Sequence, residues 1–232
     1  MLALRRSKDR GYAHQGWLES WHSFSFADYH DPAHMHYSVL RVLNDDRIAP
    51  NSGFGTHPHQ DMEIITYLLE GSLEHRDSMG NGSVIKAGEV QRMTAGSGIT
   101  HSEFNPSDSA PVHLLQIWIL PDRRGRTPEY EQKIFSPEER HGRFCLIASP
   151  DGRDGSLTVH QDVRMYASIL GADDTLVYDF APGRRGYLQV ATGELIVDGH
   201  PLREGDGLRI ARQNQIAMGT PGQTEFLLFD LP

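Results

Sequence analysis

The sequence predicts an all-β protein. From residue 36 onward, short runs rich in Val, Ile, Leu, Tyr and Phe alternate with clusters of Gly, Pro, Asn and Asp, the pattern of short antiparallel strands joined by turns. Helical signal is sparse, and one strand–glycine–strand pattern recurs, so the strands are expected to stack as sandwich or barrel layers.

In chain order, the expected strands of the first half are 37–43, 63–70, 72–77, 90–94 and 112–120. Those of the second half are 144–148, 165–170, 176–180, 187–191, 194–198, 207–211 and 225–230. The best helix start is Ser136-Pro137-Glu138-Glu139-Arg140, where a Ser cap, Pro at the first helical position and early acids predict about one turn.

The recurring pattern divides the chain. Tyr67-Leu68-Leu69-Glu70-Gly71-Ser72-Leu73 is echoed by Gln189-Val190-Ala191-Thr192-Gly193-Glu194-Leu195, and each is followed by a glycine–acid step, Gly88-Glu89 and Gly205-Asp206. Two similar β domains are therefore expected, 1–120 and 143–232. They are joined by a charged, proline-bearing segment over 121–142 that contains Asp122-Arg123-Arg124-Gly125-Arg126-Thr127-Pro128.

Composition narrows the function. Hydrophobic residues make up 38% of the 232 and charged residues 23%, which is enough apolar surface for a packed core. The net charge of −9 lacks the basic footprint of a phosphate-backbone binder, so no direct nucleic-acid ligand is expected. A single cysteine, Cys145, excludes an internal disulfide and fits a reducing compartment; in Phe144-Cys145-Leu146-Ile147 it reads as a buried small hydrophobe. Neither a signal peptide nor a membrane span is apparent, and a cytoplasmic location is the simplest expectation.

The chemistry resides in two short steps, His57-Pro58-His59 and His101-Ser102-Glu103. Residues i and i+2 of a strand share a face, so if the two strands are neighbours, three imidazoles and a carboxylate converge. Such a set suits one first-row divalent ion, and a six-coordinate ion would keep two positions open. His34-Met35-His36 has the same spacing but no partner pair following it, and is read as loop histidines. His75, His113, His141, His160 and His200 are read as surface or core hydrogen-bonding groups, and Trp17, Trp21, Phe24 and Phe26 as packing for an N-terminal strand. Counted from the turn glycines, the second domain carries Asp179, Ala181, Met218 and Thr220 where the first has its metal set. Only the first domain is expected to be chemically active.

Gly53-(x3)-His57-x-His59-(x3)-Glu63, Gly71, Gly88 and His101-(x3)-Asn105 together resemble the two motifs of the cupin superfamily. Ser23-Phe24-Ser25-Phe26, Thr66-Tyr67-Leu68-Leu69-Glu70-Gly71 and the run from Met93 through Ala95-Gly96-Ser97-Gly98 to Glu103 are similar to the pirin family over most of residues 1–120. The segment from Asp154 to Asp162 and the ending Leu227-Leu228-Phe229-Asp230-Leu231 resemble bacterial pirins with quercetin dioxygenase activity. Two departures from the general cupin pattern are shared with pirins: Glu63 is one residue out of register from Gly71, and the loop before His101 is two residues longer.

The resemblance implies a bicupin, two antiparallel β-barrel or jelly-roll domains with few short helices, and metal in the N-terminal one. It implies His57, His59, His101 and Glu103 as ligands, with Glu63 structural or supporting. The ion favoured is Fe(II), although Zn, Cu, Mn, Co or Ni suit the same donors. The implied reaction opens the heterocycle of a flavonol such as quercetin with O2, Glu103 also taking the proton of the 3-hydroxyl. The alternative is a metal-binding regulatory or redox-sensing protein that acts on a protein partner. A cupin isomerase acting on a sugar would need basic groups in the pocket, and none is identifiable.

Overall fold

Strand pairing in the computed structural model, which describes residues 1–232, is antiparallel throughout except between Cys145–Ser149 and Leu157–Thr158. The chain forms two units. One comprises Gly11–Ile134 with Val159–Gln161; the other comprises Met1–Arg10, Phe135–Thr158 and Asp162–Pro232.

The first unit has a seven-stranded sheet in the order Glu129–Ile134, Glu89–Thr94, Glu63–Glu70, Val112–Ile119, Leu40–Ile48, Leu18–His22 and Gly11–His14. Its middle strands, Glu63–Glu70 and Val112–Ile119, are buried at nearly every position, whereas Leu18–His22 alternates buried and half-buried residues as a one-faced strand should. A second sheet of four strands runs Gly53–His59, Ile99–Phe104, Ser72–Asp77, Gly82–Lys86. Leu73 and Ile85 of the small sheet pack with Leu18, Ile48, Leu68, Val112 and Leu114 of the large one. Each such buried side chain contributes about 1.5–3 kcal/mol of transfer free energy. The result is jelly-roll-like, with open sheets and not the closed barrels that were the other expectation.

The second unit is built on Arg185–Val197, which pairs with Thr224–Leu231 up to Gly193 and with His200–Arg203 beyond it. The first unit makes the same switch at Gly71, between Glu63–Glu70, paired with Val112–Ile119, and Ser72–Asp77, paired with Gly82–Lys86. Both glycines have positive φ, +79° and +78°, and a Cβ on either would lie 2.7 or 2.2 Å from a carbonyl oxygen, of Pro111 and Gln223 respectively. Those carbonyls each precede the partner strand, so the repeated sequence marks a repeated backbone device.

The single α-helix, Pro137–Arg140, carries a full capping box between Ser136 and Glu139. Cys145 is half-buried, and not buried as its apolar neighbours suggested. No helix is long and apolar enough to cross a membrane.

Candidate metal centre

Gly53–His59 is a poor strand former by composition, with two glycines and a proline, and several of its residues are exposed. The ladder to Ile99–Phe104 holds it extended. His57 lies opposite His101, and a bulge between His101 and Glu103 brings Glu103 opposite Phe54. On its other side Ile99–Phe104 pairs with Ser72–Asp77, setting His101 opposite Asp77 and Glu103 opposite His75.

One nitrogen each of His57, His59 and His101 lie within 4.8 Å of one another. The His57 Nδ1–H donates to the carbonyl of Gly55 at 2.7 Å, which leaves Nε2 with its lone pair. The buried Nε2 of His101 has no hydrogen-bond partner within the protein; a buried imidazole nitrogen without a partner is costly unless something else binds it. Burial, with repulsion from His57, lowers the pKa of His59 to about 4, and burial, with the neighbouring histidines, lowers that of His101 to about 2. Two of the clustered rings are therefore neutral donors, the form in which imidazole binds a cation. On these observations the site fits a divalent metal ion.

Glu103 stands slightly apart. A carboxylate oxygen of Glu103 groups within 4.8 Å with nitrogens of His101 and His75, not with the three-histidine set as a whole. It is buried and accepts from Gln116 Nε2 at 2.9 Å, from Thr66 Oγ1 at 3.3 Å and from Gln91 Nε2 at 3.5 Å. Burial pushes its pKa up to about 7 against the opposing effect of those donors.

A cavity of about 340 Å³ opens beside His57, His59 and Glu103, within the size range of small-molecule sites. Trp17, Phe26, Phe54 and Trp118 give it aromatic walls. Trp118 meets Phe26 edge-on at 5.4 Å and His59 edge-on at 5.0 Å. One stretch of wall is polar, where Ser20 donates to Asp46 and lies 2.8 Å from His22 Nε2.

The remaining candidates lie elsewhere. Glu63 is buried outside the cavity, where Oε2 accepts from Thr94 Oγ1 and from the His160 backbone N–H. His34 pairs with Asp31, and His36 Nδ1 donates to the Ser38 carbonyl. His113 pairs with Asp45 at 2.7 Å, and His160 with Glu129 at 3.1 Å. In the second unit Met218 belongs to the apolar core, and Asp179 is exposed and bonded to Gln215.

Sequence reasoning missed two groups. Trp17 and Phe26 are cavity walls, and no local pattern marks them as such. His75 is buried and pairs with the buried carboxylate of Asp77 at 3.1 Å, while its Nδ1 lies 3.4 Å from Nδ1 of His101. Here a signal existed: His75-Arg76-Asp77 repeats the i, i+2 step of the two pairs already recognised.

A jelly-roll-like unit with clustered histidines, followed in the same chain by a second unit built on the same strand switch, is the organisation of a two-domain cupin. The chain belongs to the pirin family. The Pirin family matches residues 4–119, and a quercetinase C-terminal cupin domain matches residues 146–231. It is 50% identical over 232 residues to the quercetin 2,3-dioxygenase of Escherichia coli (strain K12), covering 100% of this chain and 99% of that one. A pirin-like protein of Caulobacter vibrioides is 42% identical, over 95% of each chain. The crystal structure of the bacterial pirin YhhW from Escherichia coli in complex with nickel(II) superposes with a TM-score of 0.96 at 50% identity, covering 100% of this chain and 99% of that one.

Proposed function

We propose that the chain is a metal-dependent dioxygenase that cleaves the heterocycle of a flavonol such as quercetin. The observation that carries the reading is the juxtaposition of clustered imidazole donors with an aromatic-walled cavity of about 340 Å³. The names of the relatives add support, as does the crystal structure of YhhW in complex with nickel(II).

His57, His59, His101 and Glu103 would hold the ion, with Fe(II) favoured by the family and Ni(II) borne by YhhW. When bound, the ion supplies a Lewis acid that acidifies a coordinating hydroxyl. Trp17, Phe26, Phe54 and Trp118 orient a flat aromatic substrate and exclude water from it. Glu103 faces the same cavity and accepts the proton of the substrate 3-hydroxyl. Gln116, Thr66 and Gln91 fix that carboxylate for the task. Flavonol and dioxygen are consumed together, and a depside and carbon monoxide leave. A regulatory protein whose metal tunes a partner surface would need no such cavity, which favours the enzyme.

The test is aerobic turnover of quercetin by metal-loaded protein. Turnover that disappears in His57→Ala is expected. No turnover by the loaded wild type, or full turnover by His57→Ala, overturns the proposal.

A further inference from the structure

We infer that Asp77 and His75 are positioning residues that dictate which nitrogen of His101 carries its proton, keeping Nε2 bare for the metal. The inference rests on the metal reading of the three histidines.

The order of protons is set from Asp77 outward. Its Oδ1 accepts from the backbone N–H groups of Met79 and Asn81, at 2.9 and 3.1 Å. Its Oδ2 accepts from Asn81 Nδ2 at 2.9 Å and faces His75 Nε2 at 3.1 Å. Four groups thus converge on one carboxylate, and a carboxylate only accepts, so His75 must present Nε2–H. The His75 ring is wholly buried, and with its one proton committed to Asp77 the second nitrogen, Nδ1, is a bare acceptor. That nitrogen faces His101 Nδ1 at 3.4 Å. Two bare nitrogens would repel, so His101 carries its proton on Nδ1 and donates it to His75. The lone pair of His101 is then on Nε2, the buried atom with no partner.

The geometry that lets this relay run is the register of the sheet. His101 has His57 opposite it on one side and Asp77 on the other, so one strand passes between the metal pair and the residues that orient it. Tyr130 stacks on His75 at 4.7 Å with 26° between the rings, holding the middle member flat. Hydrogen-bond partners of this kind raise ligand basicity and fix ring orientation, and losing one lowers metal affinity about 10- to 100-fold.

Asp77→Asn inverts the relay. Two backbone N–H groups require the amide oxygen where Oδ1 sits, so the amide NH2 must face His75. His75 Nε2 becomes an acceptor, its proton moves to Nδ1, and His101 is driven to protonate Nε2.

Long-range proton–nitrogen NMR of the metal-free protein reads these protons directly. The expected result is His101 bare at Nε2 in the wild type and protonated there in Asp77→Asn. Ni(II) titration against a competing chelator should show affinity about 10- to 100-fold weaker in Asp77→Asn, while His57→Ala loses measurable binding. A wild-type His101 protonated at Nε2, or an Asp77→Asn protein with the wild-type tautomer and affinity, overturns the inference. Wild-type protein that takes up no Ni(II) defeats the metal reading instead, and the NMR still decides the relay. Should Asp77→Asn fail to fold, His75→Gln decides the matter: its amide oxygen can accept from His101 Nδ1–H, so His101 stays bare at Nε2. His75→Leu, which cannot accept, loses that preference, and equal behaviour of these two variants overturns the inference.

Discussion

Gly53 and Glu103 approach so closely across their paired strands that a Cβ on Gly53 would lie 2.2 Å from the Glu103 carbonyl oxygen and 2.6 Å from the Cα of Phe104. Both obstacles are backbone, so neither can rotate away. The contact holds the strand of His57 and His59 against the strand of His101 next to the bulge that sets their register.

Gly53→Ala should therefore push the two ligand-bearing strands apart. A loss of about 1–3 kcal/mol in stability is expected, as for overpacked cores. Ni(II) affinity should fall with it, since three nitrogens on two strands must meet one ion. Thermal unfolding and metal titration of the same sample check both, and unchanged values in each would contradict the contact.

Glu63 provides the pH dependence. Burial raises its pKa, only partly offset by hydrogen bonds from the His160 N–H and Thr94 and by the charges of His160 and Arg92. A raised carboxyl favours the folded state while protonated; that contribution is complete below the ordinary carboxylate range and is lost as pH rises through the raised value. Glu63→Gln removes the loss. The variant should melt above the wild type in neutral buffer, and the gap should close in acid; a gap independent of pH would count against the assignment.

Asp230 anchors the second unit. It accepts from Tyr178 Oη at 2.7 Å and Arg184 Nε at 2.6 Å, and all but its edge is buried. Asp230→Asn leaves a mostly buried Arg184 without its closest counter-charge, at a cost of about 3 kcal/mol. Tyr178→Phe removes one neutral donor and should cost about 1 kcal/mol. Chemical denaturation of the two variants orders them.

How much of this was legible in the sequence depends on range. The histidine pairs could be read because strand geometry acts over two residues, and the Gly71 and Gly193 switches because backbone strain selects glycine at one position. The strand Gly53–His59 could not be read from propensity, since its glycines and proline are held extended by a distant partner strand, Ile99–Phe104. The pairing of Leu2–Arg5 with Gly207–Ile210 is more remote still. Trp17 and Phe26 looked like packing residues, and only tertiary structure turns them toward the cavity. His75 reads as a surface or core hydrogen-bonding group and is one, buried and bonded to Asp77; its approach to His101 depends on the pairing of Ser72–Asp77 with Ile99–Phe104, which spacing within one strand does not give.

The matched turn glycines, Gly71 and Gly193, bear on how the molecule handles its ion. Both units make the same strand switch against the same kind of carbonyl, yet one surrounds imidazoles and the other Met218, Leu188 and Phe226. A framework found around either content is expected to assemble without the cation, unlike a zinc finger. The ion is thus expected to be exchangeable on a finished scaffold, and chelator-treated protein should keep its strand content by circular dichroism.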